Sequence, residues 1–368
     1  MENKSNIKKR ILIDINHPAH IHYFKNCVRI LSDKGYVFLF VVRERESTIE
    51  LIESTGFDYV NKGNWKSGMI QKMLAFPRID YKVYTIAKKF NPDLFLSFAS
   101  GYAAHVATIL NKPHIAFDDT EQATLGHLLY RPFTDIVLSP SCYNKKLSNN
   151  QYLFNSYMEL CYLHPKYFSP DRSVRKMLGL TENEKYCVIR FVAFDANHDV
   201  GLHGFSFNDK INLVKELSKY CKVFISSESV LPKELQSYKY NLHPSLLHDT
   251  LAFSSLYIGE GGTTASEAVD LGTPAILVNS GNAGLQEEQE KYGALFRINN
   301  VEDVLEKSIE ILTDNNSKMK YKLIRDIILK DKIDPTAFMV WFIENYPESK
   351  TEFVRNPNIQ NNFRFDYK

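Results

Sequence analysis

At 368 residues the chain is longer than one hydrophobic core usually supports, and at about 150 residues per domain its length points to two. Apolar residues at 44% and charged residues at 24% describe an ordinary globular protein and exclude a largely disordered or fibrous one. With 45 Lys and Arg against 43 Asp and Glu, the net charge of +2 is too balanced for sequence-independent phosphate binding, so no nucleic-acid partner is expected. The cations Lys4, Lys8, Lys9 and Arg10 precede an apolar run that stops at Asp14, too short for a secretory signal. No stretch approaches the roughly 18 apolar residues of a membrane span, which leaves the cytoplasm as the expected compartment and peripheral contact as the most that lipid could offer. The five cysteines, Cys27, Cys142, Cys161, Cys187 and Cys221, are scattered and never spaced C-x-x-C; they read as buried thiols, not disulfides or zinc ligands.

Short apolar runs alternate with segments of helical period. The first series is Ile11–Ile15, Val37–Val42, Leu94–Phe98, His114–Phe117 and Ile136–Leu138; a second begins again at Tyr186–Phe191, Lys222–Ser226, Leu256–Ile258 and Ala275–Val278. Runs apolar across their whole width are expected where helices cover both faces of a parallel sheet. The fold class is therefore α/β, with two Rossmann-like doubly wound domains facing a cleft lined by strand-to-helix loops. Pro165 and Pro170 mark the linker between His164 and Arg172, which gives an acceptor-side domain over 1–165, a donor-side domain over 166–335, and a last helix with a polar tail over 336–368. From Asn356 the composition suits disorder.

The loop after the first run reads Asp14-Ile15-Asn16-His17-Pro18-Ala19-His20 and opens onto a helical segment, Ile21–Leu31. A neutral imidazole at a helix start, His20 or His22, suits a general base. The same residues also suit plain capping, with Asn16 or His17 as cap and Pro18 in the first turn. Metal binding by His17, His20 and His22 is disfavoured because no acidic or Cys partner recurs at a ligand spacing. Trp65, Tyr81 and Tyr84 read as core or acceptor-side packing. The run His114–Phe117 ends in Asp118-Asp119-Thr120-Glu121, where crowded acids raise one another's pKa and suit proton transfer at Asp119 or Glu121; a capping-box variant from Asp118 to Glu121 has equal claim.

After Tyr186–Phe191 comes a polar loop with Asp195, Asn197, His198, Asp199 and His203, in which Arg190 or His198 could neutralise a leaving diphosphate. Residues Gly259–Glu267 then read GEGGTTASE, a strand, glycine turn and helix. Gly261 and Gly262 permit positive φ and close anion approach, the N–H groups of Thr263 and Thr264 attract phosphate, and Glu267 in the first helical turn suits two ribose hydroxyls. The alternative is a tight turn with Thr263 as cap. The loop fits neither G-x-G-x-x-G nor the P-loop, and no D-x-D occurs, so neither a metal nor another cofactor is expected.

Gly259–Leu277, GEGGTTASEAVDLGTPAIL, resembles the donor-nucleotide motif of GT-B glycosyltransferases and UDP-N-acetylglucosamine 2-epimerases. Over both halves the chain is similar to family 354 of domains of unknown function, through DINHPAHIHYFKN, FDDTEQA, HDTLAFSSLYIGEGGTTASEA and LGTPAI. That resemblance implies a fold more firmly than a reaction. It implies that Glu267 holds ribose, that Gly262–Thr264 hold diphosphate, and that Leu246–Asp249, with Leu247 and His248, lie beside a base, most often uracil. It aligns His20 with a glycine-loop histidine of transferases similar to the lipid II-forming enzyme, although His17, Pro18 and Ala19 replace the glycines. Glu121 or Asp119 stands near a proton-transferring glutamate of the epimerases.

Three functions follow. The first is a transferase moving sugar from a nucleotide donor, UDP-linked by resemblance, to an acceptor hydroxyl of a glycan or lipid-linked acceptor in cell-surface polysaccharide synthesis. The second is a sugar-nucleotide 2-epimerase, and the third a non-catalytic nucleotide-sugar binder. The transferase is favoured because its family's glutamate aligns with Glu267, one residue further on than in epimerases.

Overall fold

The computed structural model describes residues 8–45, 47–64, 69–191, 206–227, 230–278 and 283–365. They divide into two compact units, one running to Tyr162 and taking up the chain again from Ile333, the other comprising Leu163–Lys332.

Among the described residues the N-terminal unit has seven parallel strands: β1 (Arg10–Ile15), β2 (Val37–Arg43), β3 (Tyr59–Gly63), β4 (Leu94–Phe98), β5 (His114–Phe117), β6 (Ile136–Pro140) and β7 (Gln151–Phe154). Their order is β3-β2-β1-β4-β5-β6-β7. The five inner strands are the apolar runs legible in the sequence. The outermost two, YVNKG and QYLF, are short and half polar because one edge of each lacks a neighbour, and no periodicity announces them. The chain winds outward from β1 to β3 and returns to the other side at β4, so the order reverses between β1 and β4. Loops at the carboxyl ends of these strands border the crevice where open α/β sheets bind ligands.

The helix Pro18–Asp33 buries Ile21, Phe24, Cys27, Val28 and Leu31, a stripe at helical spacing. The chain's C-terminal part is not a separate segment. Helix Pro335–Glu344, FMVWF at its centre and apolar on nearly every side, can be satisfied only by burial. Thr336 Oγ1 and Asn26 Nδ2 both donate to the Cys161 carbonyl, at 2.9 and 2.8 Å, tying this helix and Pro18–Asp33 to one backbone point. The Asn-rich end is ordered, against expectation: Pro357–Phe363 forms a 3₁₀ helix whose Phe363 ring lies 5.5 Å from Trp341, and Gln360 Oε1 accepts from the Asn155 N–H at 2.6 Å. Aromatic anchoring outweighs polar composition there. Tyr84 packs against the core, but Tyr81 points outward at 72% exposure and is no core residue.

The second unit has five described parallel strands, β8 (Tyr186–Phe191), β9 (Lys222–Ser227), β10 (Leu256–Gly259), β11 (Ala275–Leu277) and β12 (Leu295–Arg297), in the order β12-β11-β10-β8-β9. Its order reverses between β8 and β10. Arg190 and Gly259 are register partners across that pair. The cysteines are all free; Cys27, Cys161 and Cys187 are buried, Cys142 and Cys221 half-buried.

Candidate functional site

In the C-terminal unit, β10 ends at Gly259 and the chain turns through Glu260 and Gly261 into the helix Gly262–Asp270. Gly261 is the N-cap with φ −102° and ψ 126°, and no side chain caps the helix, so Thr263 is not the cap. Gly261 is extended and Gly262 helical, so the left-handed conformation expected of these two glycines is not used. Space is what glycine provides instead. A Cβ on Gly262 would stand 3.2 Å from Gln286 Nε2, and one on Gly259 only 2.1 Å from Tyr257 Oη. An uncapped N-terminus at the strand-order reversal leaves helix N–H groups and the dipole for an anion.

The helix begins six residues before Ala268, so Glu267 sits in its second turn, not the first. Its buried Oε1 lies 3.0 Å from His248 Nε2, and His248 is on the helix Leu247–Phe253. The two residues assigned separately to ribose and base thus form one hydrogen-bonded pair, with half-buried Leu247 beside them. Asp249 faces elsewhere, accepting from the Asp171 N–H at 2.7 Å. Arg190 Nη1 donates to Ser226 Oγ at 2.9 Å, and the Arg190 carbonyl accepts from the Glu260 N–H at 3.2 Å, which fixes β8 against the loop. His198 and its neighbours Asp195, Asn197, Asp199 and His203 lie outside the described residues, as does Trp65.

Behind the loop, Gln286 Nε2 donates to Ser266 Oγ at 3.0 Å and Gln289 Nε2 to Asp270 Oδ1 at 3.1 Å. Asp270 Oδ2 and Gln289 Oε1 are buried without partners among the described residues. Burial pushes the Asp270 carboxyl well above the usual carboxylate range.

In the N-terminal unit, His17 caps the helix by accepting from the Ala19 N–H at 3.3 Å, and Pro18 takes the first helical position. The capping reading of His17 therefore holds, and it leaves His20 for other work. The His20 ring packs 4.5 Å from Phe98 and 6.1 Å from Tyr23, and its buried Nδ1 has no partner among the described residues. Burial, then the charges of His17, Lys62 and Arg45, hold its pKa well below the usual histidine value, so it is neutral at pH 7. His22 Nδ1 is 3.2 Å from Lys25 Nζ and its ring stacks on Tyr162. Among the described residues no cluster of three His, Cys, Asp or Glu could hold a metal.

The three carboxylates after β5 have three different surroundings. Asp118, fully buried, accepts from the Thr120 N–H at 2.8 Å and Tyr130 Oη at 2.5 Å, with His127 Nε2 at 3.1 Å. Glu121 Oε1 accepts from the Asn144 N–H at 2.7 Å. Neither caps a helix: the next one, Thr124–Tyr130, has Ala123 at its N-cap with no side-chain bond, which removes the capping-box alternative. Asp119 is held more loosely, by Thr120 Oγ1 at 3.0 Å and Tyr23 Oη at 3.5 Å. Burial, then the charges of Asp118 and Glu121, push its carboxyl up to about 7. Tyr23 thus touches both His20 and Asp119, bringing the ends of β1 and β5 together across β4.

The family model described as "Protein of unknown function (DUF354)" matches residues 9–345. The chain belongs to the DUF354 family. An uncharacterised protein of Methanocaldococcus jannaschii is 22% identical over 284 residues, covering 72% of this chain and 80% of the relative. A putative UDP-N-acetylglucosamine 2-epimerase from Listeria monocytogenes has a similar structure, with TM-score 0.63, 12% identity, and coverage of 85% of this chain and 90% of that one. So does the glycosyltransferase VinC, solved in complex with dTDP, with TM-score 0.62, 12% identity, and coverage of 93% and 100%. At such identities the likeness shows the fold, that of GT-B glycosyltransferases and 2-epimerases.

Within this DUF354 chain, the sequence did not single out Lys62. Its ammonium is fully buried at the end of β3, 2.5 Å from Asp14 Oδ1 and 2.8 Å from Asn16 Oδ1, with Ser100 Oγ on the other Asp14 oxygen. The only available signal was Asp14 itself, a lone acid closing an apolar run, which demands a buried partner.

Proposed function

We propose that the chain binds a nucleotide diphosphate sugar, UDP-linked, at the Gly259–Glu267 loop and transfers the sugar to an acceptor hydroxyl in cell-surface glycan synthesis. The observation that carries this reading is the His248–Glu267 pair at 3.0 Å beside an uncapped helix N-terminus where strand order reverses. A carboxylate there suits the two ribose hydroxyls, and the helix N–H groups suit a diphosphate. In the step itself the acceptor hydroxyl loses its proton to a base, its oxygen bonds the anomeric carbon, and the diphosphate leaves with the electron pair of the broken C–O bond. Helix N–H groups at Gly262–Thr264 and the Arg190 guanidinium are suited to that leaving charge.

Asp119 and His20 compete for the role of base. A base works best when its pKa lies near the working pH; Asp119 at about 7 fits, whereas His20, held well below its usual value, is the weaker base. We assign the proton to Asp119 and the neighbouring position to His20. Asp119→Asn is expected to lower turnover by about 10²–10⁴-fold. Since the base must be ionised, wild-type rate should rise with pH through about 7, and the Asn variant should lose that limb. Wild-type turnover in Asp119→Asn at all pH values would remove Asp119 from the chemistry.

The crowded acids around Asp119 also favour a second reading, a 2-epimerase, because that chemistry needs proton-transferring carboxylates. The purified protein, incubated with UDP-, GDP-, dTDP- and CMP-sugars without acceptor and followed by NMR, separates the two. A bound, unchanged UDP-sugar supports the transferase; an epimerised sugar replaces it with the epimerase. A nucleotide sugar that binds yet never turns over with any acceptor leaves a binding protein.

A further inference from the structure

We propose that the N-terminal unit docks on an anionic phospholipid surface through an apolar patch centred on the helix Thr124–Tyr130. Leu125, Leu128 and Leu129 lie at helical spacing on one face of Thr124–Tyr130 and are 57%, 60% and 41% exposed. Phe133, three residues beyond this helix, is 42% exposed, and Ile109 and Tyr81 on neighbouring helices are 65% and 72% exposed. Contiguity comes from His105, which touches every element involved. Its Nε2 is 2.9 Å from the Leu129 carbonyl, its Nδ1 2.9 Å from Asp80 Oδ2, and its ring 4.7 Å from that of Phe133. Single exposed leucines are ordinary, but Leu125, Leu128, Leu129 and Phe133 exposed together on one short stretch mark a contact surface.

Charge decides which contact. The described part of the helix Met69–Phe90 carries Arg78, Lys82, Lys88 and Lys89 against a single acid, Asp80, and that acid is already paired with His105. Arg78 and Lys82, on either side of Asp80 and Tyr81, are exposed. An anionic lipid surface complements them while its interfacial region takes the leucines, the combination that holds amphipathic elements on membranes. No described helix is long and apolar enough to cross the bilayer, so the contact is peripheral. The proposal does not rest on the sugar-transfer reading, because none of these residues belongs to the donor loop or takes part in the proton transfer.

The test is flotation of the full chain with vesicles of equal parts phosphatidylcholine and phosphatidylglycerol, beside vesicles of phosphatidylcholine alone. Wild type should float with the anionic vesicles and bind more weakly as salt rises. Leu125→Ser with Leu128→Ser should weaken partitioning about tenfold or more. Arg78→Glu with Lys82→Glu should abolish the preference for phosphatidylglycerol. Because all four side chains are exposed, both variants should keep the wild-type melting temperature and nucleotide affinity, which separates loss of docking from loss of fold or of donor binding. The proposal is overturned if wild type ignores anionic vesicles, or if the Leu125→Ser, Leu128→Ser variant floats as well as wild type. A dimer in sedimentation that the same variant splits, with no vesicle binding, assigns the face to a second copy and overturns it equally.

Discussion

Lys62→Met should destabilise the N-terminal unit by about 3–5 kcal/mol, the cost of leaving a buried charge without its partner. Both side chains of the Lys62–Asp14 pair are fully inaccessible, so Asp14 cannot turn to water when the ammonium is removed. Ser100 Oγ still donates to Asp14 but brings no charge. Burial lowers the Lys62 pKa while Asp14 raises it, so the ammonium depends on Asp14 to stay charged. If the pair is what matters, Asp14→Leu combined with Lys62→Met should recover most of the loss, since apolar replacement of a whole buried pair is often neutral or better. Urea unfolding of the two single variants and the double measures the coupling. A Lys62→Met loss under about 1 kcal/mol would show that Asp14 is relieved in some other way. The loop beginning at Asn16 also depends on Lys62, so the variant should loosen the segment that carries His20.

Gly259→Ala is expected to be the most damaging small substitution in the C-terminal unit. The added methyl would lie 2.1 Å from Tyr257 Oη and 2.5 Å from its Cζ. That ring is fully buried and cannot swing away, so the strand itself must move. We expect a loss of about 3 kcal/mol, at the upper end of overpacking costs, and a fall of roughly 6–12 °C in melting temperature. Gly262→Ala meets only the end of Gln286 at 3.2 Å and should cost clearly less. Equal melting temperatures for the two variants would contradict the packing account of this loop.

The inner strands were legible because strands covered on both faces are apolar throughout. Strands β3, β7 and β12 were not, being short and at sheet edges. The glycine loop was found for a partly mistaken reason. Glycine is used at Gly259 and Gly262 for room rather than left-handed φ, and backbone angles cannot be read from residue type alone. Glu267 and His248 were each named, but their pairing depends on how two helices lie in space. The same limit applied to the acids: Asp118, Asp119 and Glu121 are equivalent on paper, and partners such as Tyr130, Tyr23 and the Asn144 N–H distinguish them. The C-terminal segment was misjudged because Asn content suggested solvation while Phe363 and Gln360 anchor it.

The measurement closest to the central claim is calorimetric titration of UDP, dTDP and GDP into the wild type and Glu267→Ala, with melting curves to show that both are folded. One of the three diphosphates should bind the wild type, and Glu267→Ala should weaken that binding by roughly tenfold or more, the worth of hydrogen bonds to a charged group. If none binds the wild type at millimolar concentration, or if Glu267→Ala binds equally well, the Gly259–Glu267 loop is a structural turn and the nucleotide reading is wrong.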